Sequence, residues 1–119
     1  YDQFCGIPQQ ETAGSGEISV EELKAKIDRG DAFVLLDVRE PHEVEIAALP
    51  GSVRIPLRQL PEQLDQLDPA AEIVVHCKLG PRSGRAVKLL REAGFSRVFN
   101  LTGGIDRWAE RIDPSVPRY

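Results

Sequence analysis

The sequence predicts an α/β domain with a mainly parallel sheet, and two observations carry that reading. Short apolar runs without alternation recur along the chain, as expected of strands buried on both faces. Between them lie stretches whose apolar residues repeat at helical spacing. Strands that alternate with helices in this way build parallel sheets.

The elements follow in order. Residues 9–17, Gln-Gln-Glu-Thr-Ala-Gly-Ser-Gly-Glu, are polar and glycine-containing, the composition of a linker, so the folded part is expected to begin near Ile18. Ser19-Val-Glu-Glu22 reads as a capping box, Val20, Leu23 and Ile27 mark one face of the helix behind it, and Gly30 ends it. Phe33-Val-Leu-Leu-Asp37 is the first buried strand, and Val53 to Ile55 a weaker second one. Leu57, Leu60, Leu64 and Leu67 share a helical face; Ile73 to Val75 is the next strand. A helix carrying Ala86, Leu90 and Ala93, a strand at Val98 to Leu101, and a helix carrying Ile105, Trp108 and Ile112 complete the chain, with no internal repeat.

Composition narrows the class. A chain of 119 residues with 41% hydrophobic and 29% charged residues has the makings of one globular domain. A net charge of −4 speaks against nucleic acid or an anionic membrane as partner. The longest apolar runs, Phe33 to Leu36 and Ile46 to Leu49, fall far short of the ~20 residues of a membrane span. The start at Tyr1 lacks the basic and apolar segments of a signal peptide, so the chain reads as an excised or processed piece. A domain of this size needs no disulfide, which leaves Cys5 and Cys77 outside any structural framework.

Ligand-binding loops of parallel sheets lie at the carboxyl ends of the strands. Two such ends carry chemistry: Asp37-Val-Arg39-Glu40-Pro41, and His76-Cys77-Lys78-Leu79-Gly80-Pro81-Arg82-Ser83. Cys77 stands at a strand-to-helix turn, where unpaired N–H groups form a nest for an anion and favour a thiolate. Gly80 permits a positive φ in that turn, and Pro81 stiffens it. Lys78, Arg82, Arg85, Lys88 and Arg91 form a basic run without an acidic residue; Arg85, Lys88 and Arg91 read equally well as a solvated helix face. A cysteine phosphatase needs an arginine six residues after its cysteine, but that position is Ser83 and the arginine comes one step early, at Arg82. The shorter loop suits a single extra sulfur atom, held as a persulfide.

Cys77-x-x-Gly80-x-Arg82-Ser83 after Ile73-Val-Val-His76 resembles the active-site loop of rhodanese-type sulfurtransferases. Leu35-Leu-Asp37-Val-Arg39-Glu40, Leu49-Pro-Gly51-Ser-Val-Arg-Ile55-Pro56 and Leu101-Thr-Gly103-Gly104-Ile-Asp-Arg-Trp108 resemble that family's other motifs in the same order. Ala47-Ala48-Leu49-Pro50 departs from the Gly-His-Ile-Pro that many members carry, so any role of a histidine there is absent. The resemblance implies a mainly parallel sheet of four to five strands with helices on both faces over residues 18–119.

The ends resemble one branch of the family. Tyr1-Asp-Gln-Phe4-Cys5-Gly6-Ile-Pro8 is similar to the tail of an adenylyltransferase domain, and Cys77-Lys78-Leu79-Gly80 with Asp113 to Tyr119 is similar to the C-terminal rhodanese domain of MoeZ-type adenylyltransferase/sulfurtransferases. Residues 1–17 are then the tail of an upstream domain plus linker, with Cys5 a remnant of it. By this resemblance, Cys77 takes sulfur from thiosulfate or a persulfide and passes it to the adenylated C-terminus of a ubiquitin-like sulfur carrier, as in molybdenum cofactor synthesis. The loop residues Lys78, Leu79, Gly80, Arg82, Ser83 and Gly84 cradle the persulfide, with every amide but that of Pro81 donating. Arg82 implies an anionic donor such as thiosulfate; Asp37 and Arg39 support the loop. The domain itself is expected to need no cofactor, ATP and zinc belonging to the upstream domain. Its partners are expected to be the carrier, that domain and a cysteine desulfurase, in the cytoplasm.

Blander readings compete. Rhodanese-like domains without catalysis serve as binding modules, but the presence of Cys77 disfavours that reading. A phosphatase or arsenate reductase shares the cysteine-loop logic and is disfavoured by the short loop. His76, at a buried strand end, is expected to be a hydrogen-bonded structural histidine, His42 a surface residue, and Ile105 and Trp108 core.

Overall fold

The computed structural model describes residues 16–49 and 51–118. Its centre is a five-stranded parallel sheet in the order β1-β5-β4-β2-β3, formed by β1 (Glu17–Ile18), β2 (Val34–Asp37), β3 (Val53–Arg54), β4 (Ile73–His76) and β5 (Val98–Leu101). β4 lies in the middle, flanked by β2 and β5, and all four of its residues are buried. That explains its uninterrupted apolar run, since both faces of a central parallel strand are covered.

Successive side chains of a strand point to opposite faces, and two core clusters follow from it. On one face Leu36, Val75, Cys77 and Val98 pack with Ala86, Val87 and Leu90 of α3 (Pro81–Glu92) and with Leu60 and Leu67. On the other, Leu35, Val74 and Leu101 pack with Val20 and Leu23 of α1 (Val20–Arg29) and with Ile105 and Trp108 of α4 (Gly104–Arg111). Helices therefore cover both faces, as the family resemblance implies. The capping box of α1 is present: Ser19 Oγ accepts from Glu22 N at 3.0 Å and Glu22 Oε1 from Ser19 N at 2.9 Å.

Several elements differ from expectation. The leucines at 57, 60, 64 and 67 lie on two 3₁₀ turns, Leu57–Glu62 and Leu64–Gln66, rather than on one α-helix, because Pro61 supplies no N–H and disfavours helical backbone before it. A short helix, α2 (Pro41–Ile46), follows β2 where no helix was expected; its proline stands at the start, and Glu43 Oε1 accepts from Glu40 N at 3.1 Å. Glu17, assigned to the linker, instead pairs with Asn100 in the edge strand β1. Ile27 stays 45% exposed although its neighbours Val20 and Leu23 are buried. The expected tail of an upstream domain, with Cys5, lies outside the described residues. Among the described residues no helix is long and apolar enough to cross a membrane.

Candidate active site

Because the sheet is parallel, the loops after β2, β4 and β5 meet at one edge. Register pairs Asp37 with His76, so the two strand ends singled out in the sequence lie side by side. Cys77 follows β4 directly and is fully buried. The helix after it begins at Pro81, earlier than its apolar periodicity indicates, so only Lys78, Leu79 and Gly80 form the turn.

This turn folds N–H groups onto the sulfur. Cys77 Sγ accepts from Gly80 N at 3.1 Å and from Ser83 N at 3.4 Å, and the Ser83 hydroxyl lies 3.4 Å away. Gly80 has φ 140°, a conformation L side chains rarely adopt, although the space beside it is open. Burial pushes the Cys77 thiol up, but hydrogen bonds from the Ser83 hydroxyl and from the amides of Ser83, Gly80 and Leu79 outweigh it. The result lies below the ordinary thiol value.

The turn is clamped from behind by α4. Ile105 N donates to Cys77 O at 2.9 Å and Asp106 N to Lys78 O at 3.1 Å. These are free amides of a helix N-terminus, and they draw the carbonyls of the turn away from the sulfur. Gly104, φ 59°, makes the approach possible: a Cβ there would stand 2.5 Å from both carbonyl oxygens.

The remaining sequence candidates take distinct places. Ser83 is buried against the sulfur, whereas the Gly84 amide is spent on Gly80 O at 2.9 Å inside α3 and is not part of the cradle. Leu79 is 56% exposed at the mouth, and Lys78 is half-buried beside it. Arg82 stands in the first turn of α3 rather than in the loop, and Glu43 of α2 holds its guanidinium by two bonds, 2.6 and 2.9 Å. Arg85 and Lys88 are exposed, and Arg91 donates to Val98 O at 2.8 Å, so this part of the basic run serves helix surface and packing.

Asp37 and Arg39 form a fully buried ion pair at 2.8 Å. Arg39 also donates to Ala47 O at 2.6 Å and Glu43 O at 3.4 Å, so the pair secures α2 and reaches the cysteine loop through the Glu43–Arg82 contact. His76 is buried on the same face as Asp37, but neither ring nitrogen is hydrogen-bonded among the described residues, contrary to the expectation of a satisfied histidine. Burial, opposed by Asp37, lowers it to about 4, so the ring is neutral. His42 is exposed, as expected.

Three contributors escaped the sequence reading: Glu43, Asn100 and Gly104. Glu43 had a signal in its spacing from Glu40; Gly104 belongs to a motif whose carbonyl clamp only the folded chain reveals. Asn100 is a polar residue inside an apolar strand, and its Oδ1 lies 2.5 Å from Ser83 Oγ.

Comparison with known proteins decides the family: residues 19–111 match the family described as Rhodanese-like domain. The chain belongs to that family of sulfurtransferases. It is 43% identical over 110 residues to rhodanese-like/PpiC domain-containing protein 12, chloroplastic, of Arabidopsis thaliana, covering 87% of this chain and 37% of that protein. It is 36% identical over 124 residues to the probable adenylyltransferase/sulfurtransferase MoeZ of Mycobacterium tuberculosis, covering 100% of this chain and 32% of that one. The chain thus spans about a third of the length of these curated relatives. A rhodanese-related protein from Thermoplasma volcanium has the same fold, with TM-score 0.75 and 32% identity over 87% of this chain and 98% of its own.

Proposed function

We propose that this rhodanese-like domain forms a persulfide on Cys77 from a sulfane-sulfur donor and hands the outer sulfur to the adenylated C-terminus of a ubiquitin-like carrier. The observation that carries the reading is a buried sulfur facing converging N–H donors in a turn of three residues, with a helix N-terminus behind it. Such a cradle stabilises one extra anionic sulfur and leaves little room for a phosphoryl group.

In the first step the Cys77 thiolate attacks the outer sulfur of the donor. The new bond joins Sγ to that sulfur, the donor's S–S bond breaks, and sulfite or a thiolate leaves with the electron pair. The amides of Gly80 and Ser83 lie where the added charge develops. In the second step the terminal sulfur attacks the acyl-adenylate carbonyl and AMP departs. One thiol then attacks Cys77 Sγ of the resulting acyl disulfide and expels the thiocarboxylate. A second thiol cleaves the mixed disulfide left on Cys77, freeing the Cys77 thiol as the two thiols leave joined in a disulfide. None of these steps calls on a cofactor held by this domain.

Arg82 at the mouth favours an anionic donor, but its pairing with Glu43 lets a small dianion reach it only in competition with that carboxylate. A persulfide presented by a partner protein, such as a cysteine desulfurase, is therefore kept beside thiosulfate as donor. The similarity to MoeZ over the whole chain supports the carrier and an upstream adenylating domain as partners, and a thiol that must stay reduced fits the cytoplasm.

The test is carrier mass. An adenylated ubiquitin-like carrier incubated with the donor-charged domain is expected to exchange one oxygen for sulfur at its C-terminus. A carrier left unchanged by a domain that does carry the persulfide would remove the carrier from this reading while leaving the persulfide chemistry intact.

A further inference from the structure

The Ser83 hydroxyl stands at the crossing of three contacts. Its oxygen lies 3.4 Å from Cys77 Sγ, 2.9 Å from Gly80 O and 2.5 Å from Asn100 Oδ1. A hydroxyl has one hydrogen to give, and a carbonyl oxygen, an amide oxygen and a thiolate can only accept. The direction in which Ser83 donates therefore decides whether the sulfur receives that hydrogen.

With Cys77 as a thiol every group is satisfied in one direction. The S–H donates to Ser83 Oγ, the Ser83 O–H to Asn100 Oδ1, and Asn100 Nδ2 faces Gly80 O at 3.5 Å. With Cys77 as thiolate or persulfide the sulfur becomes an acceptor, and Ser83 must turn its hydrogen towards it. Asn100 Oδ1 would then face a lone pair of Ser83 at very short range. A half-turn of the amide replaces Oδ1 by Nδ2 and supplies the missing donor.

We propose that Asn100 is a positioning residue whose amide sets the direction of the Ser83 hydroxyl and thereby the ease with which Cys77 ionises. The sheet holds its backbone in place, since Asn100 pairs with Val75 and Glu17 and its N–H donates to Gly16 O at 2.9 Å. Across from it α3 presents Gly84, where an added Cβ would lie 3.6 Å from Nδ2, so this helix packs directly over the amide. Charged groups around Cys77 are Lys78 and Arg82 on its own loop and helix, Glu43 of α2 on Arg82, and Asp106 of α4 near Lys78. Asp37, Arg39 and the neutral His76 lie across the sheet. All of these remain the same when Asn100 is changed.

The inference rests on Cys77 being the working thiol, which sulfur uptake by the unaltered protein checks separately. Its own test is the pH dependence of Cys77 alkylation by iodoacetamide in a Cys5→Ser background. Asn100→Asp keeps the shape but offers only acceptors, and is expected to raise the midpoint by about one pH unit or more. Combined with Ser83→Ala, the same substitution is expected to shift the midpoint by less than about half as much, since only its direct charge remains. Equal shifts in both backgrounds, or none, would overturn the proposal. A second readout needs no substitution: the Asn100 side-chain ¹⁵N resonance is expected to titrate with the Cys77 midpoint. A resonance unmoved through that midpoint would equally overturn it.

Discussion

Glu43 holds Arg82 across the mouth of the cysteine loop through two charge-assisted bonds, 2.6 and 2.9 Å. The one guanidinium in the first turn of α3 thus arrives with its own carboxylate, which comes from a helix anchored by the buried Arg39. An anionic donor at this mouth meets a paired charge. Glu43→Gln removes the competitor while keeping the shape, and the KM for thiosulfate is expected to fall several-fold, on the order of 1 kcal/mol. Arg82→Ala is expected to raise it. Steady-state kinetics with thiosulfate check both; an unchanged KM in the two variants would show that the donor anion does not reach Arg82.

The α4 clamp gives a second prediction. Gly104→Ala introduces a Cβ 2.5 Å from the carbonyl oxygens of Cys77 and Lys78 at a φ of 59°. The turn must shift, and the amides aimed at the sulfur shift with it. Sulfur transfer is expected to drop roughly 10- to 100-fold, in keeping with displacements of about 1 Å in a preorganised site. Single-turnover transfer by the folded variant, compared with its unfolding curve, separates the displaced cradle from loss of fold.

His76 ties stability to pH. Its ring is neutral in the folded state, at about 4 against 6.5. Between those values the unfolded chain binds the proton more readily, so the contribution of His76 is complete above pH 6.5 and is lost as pH falls towards 4. At about 1.4 kcal/mol per pH unit, that loss amounts to roughly 3 kcal/mol. Urea unfolding across this window is expected to show the slope, and His76→Gln to flatten it; a slope that persists in the variant would assign it to carboxylates instead.

The buried pair beneath α2 is expected to dominate the stability of this edge. Arg39→Ala leaves the Asp37 carboxylate unpaired at zero exposure and releases the carbonyls of Glu43 and Ala47. A loss of about 3–5 kcal/mol is expected. Denaturant unfolding measures it, and a cost below about 1 kcal/mol would contradict the role given to the pair.

Local patterns made most of the fold legible. The apolar run Ile73 to Val75, the Ser19–Glu22 capping box and the Ile105 and Trp108 face of α4 are each written within a few neighbouring residues. Each stands in the structure, with β4 extended by His76 and Ile112 falling just past the end of α4. What failed depended on partners distant in the chain or on a single local breaker. β1 is two residues long and exists because β5 pairs with it, which no local pattern announces. The leucines from 57 to 67 keep a helical spacing and pack into the core, but Pro61 divides them into 3₁₀ turns. In the site, Cys77 and its turn were readable because the chemistry is contiguous. Glu43, Asn100 and Gly104 were not, because each acts across 17 residues or more: Glu43 lies 39 from Arg82, and Asn100 lies 17 from Ser83.

The central claim is that Cys77 carries the sulfur, and intact mass measures this most directly. In a Cys5→Ser background, the domain incubated with thiosulfate or with a small-molecule persulfide is expected to gain the mass of one sulfur atom. The gain should vanish on adding a thiol and be absent in Cys77→Ala. No gain from either donor, or a gain that survives in Cys77→Ala, would contradict the claim.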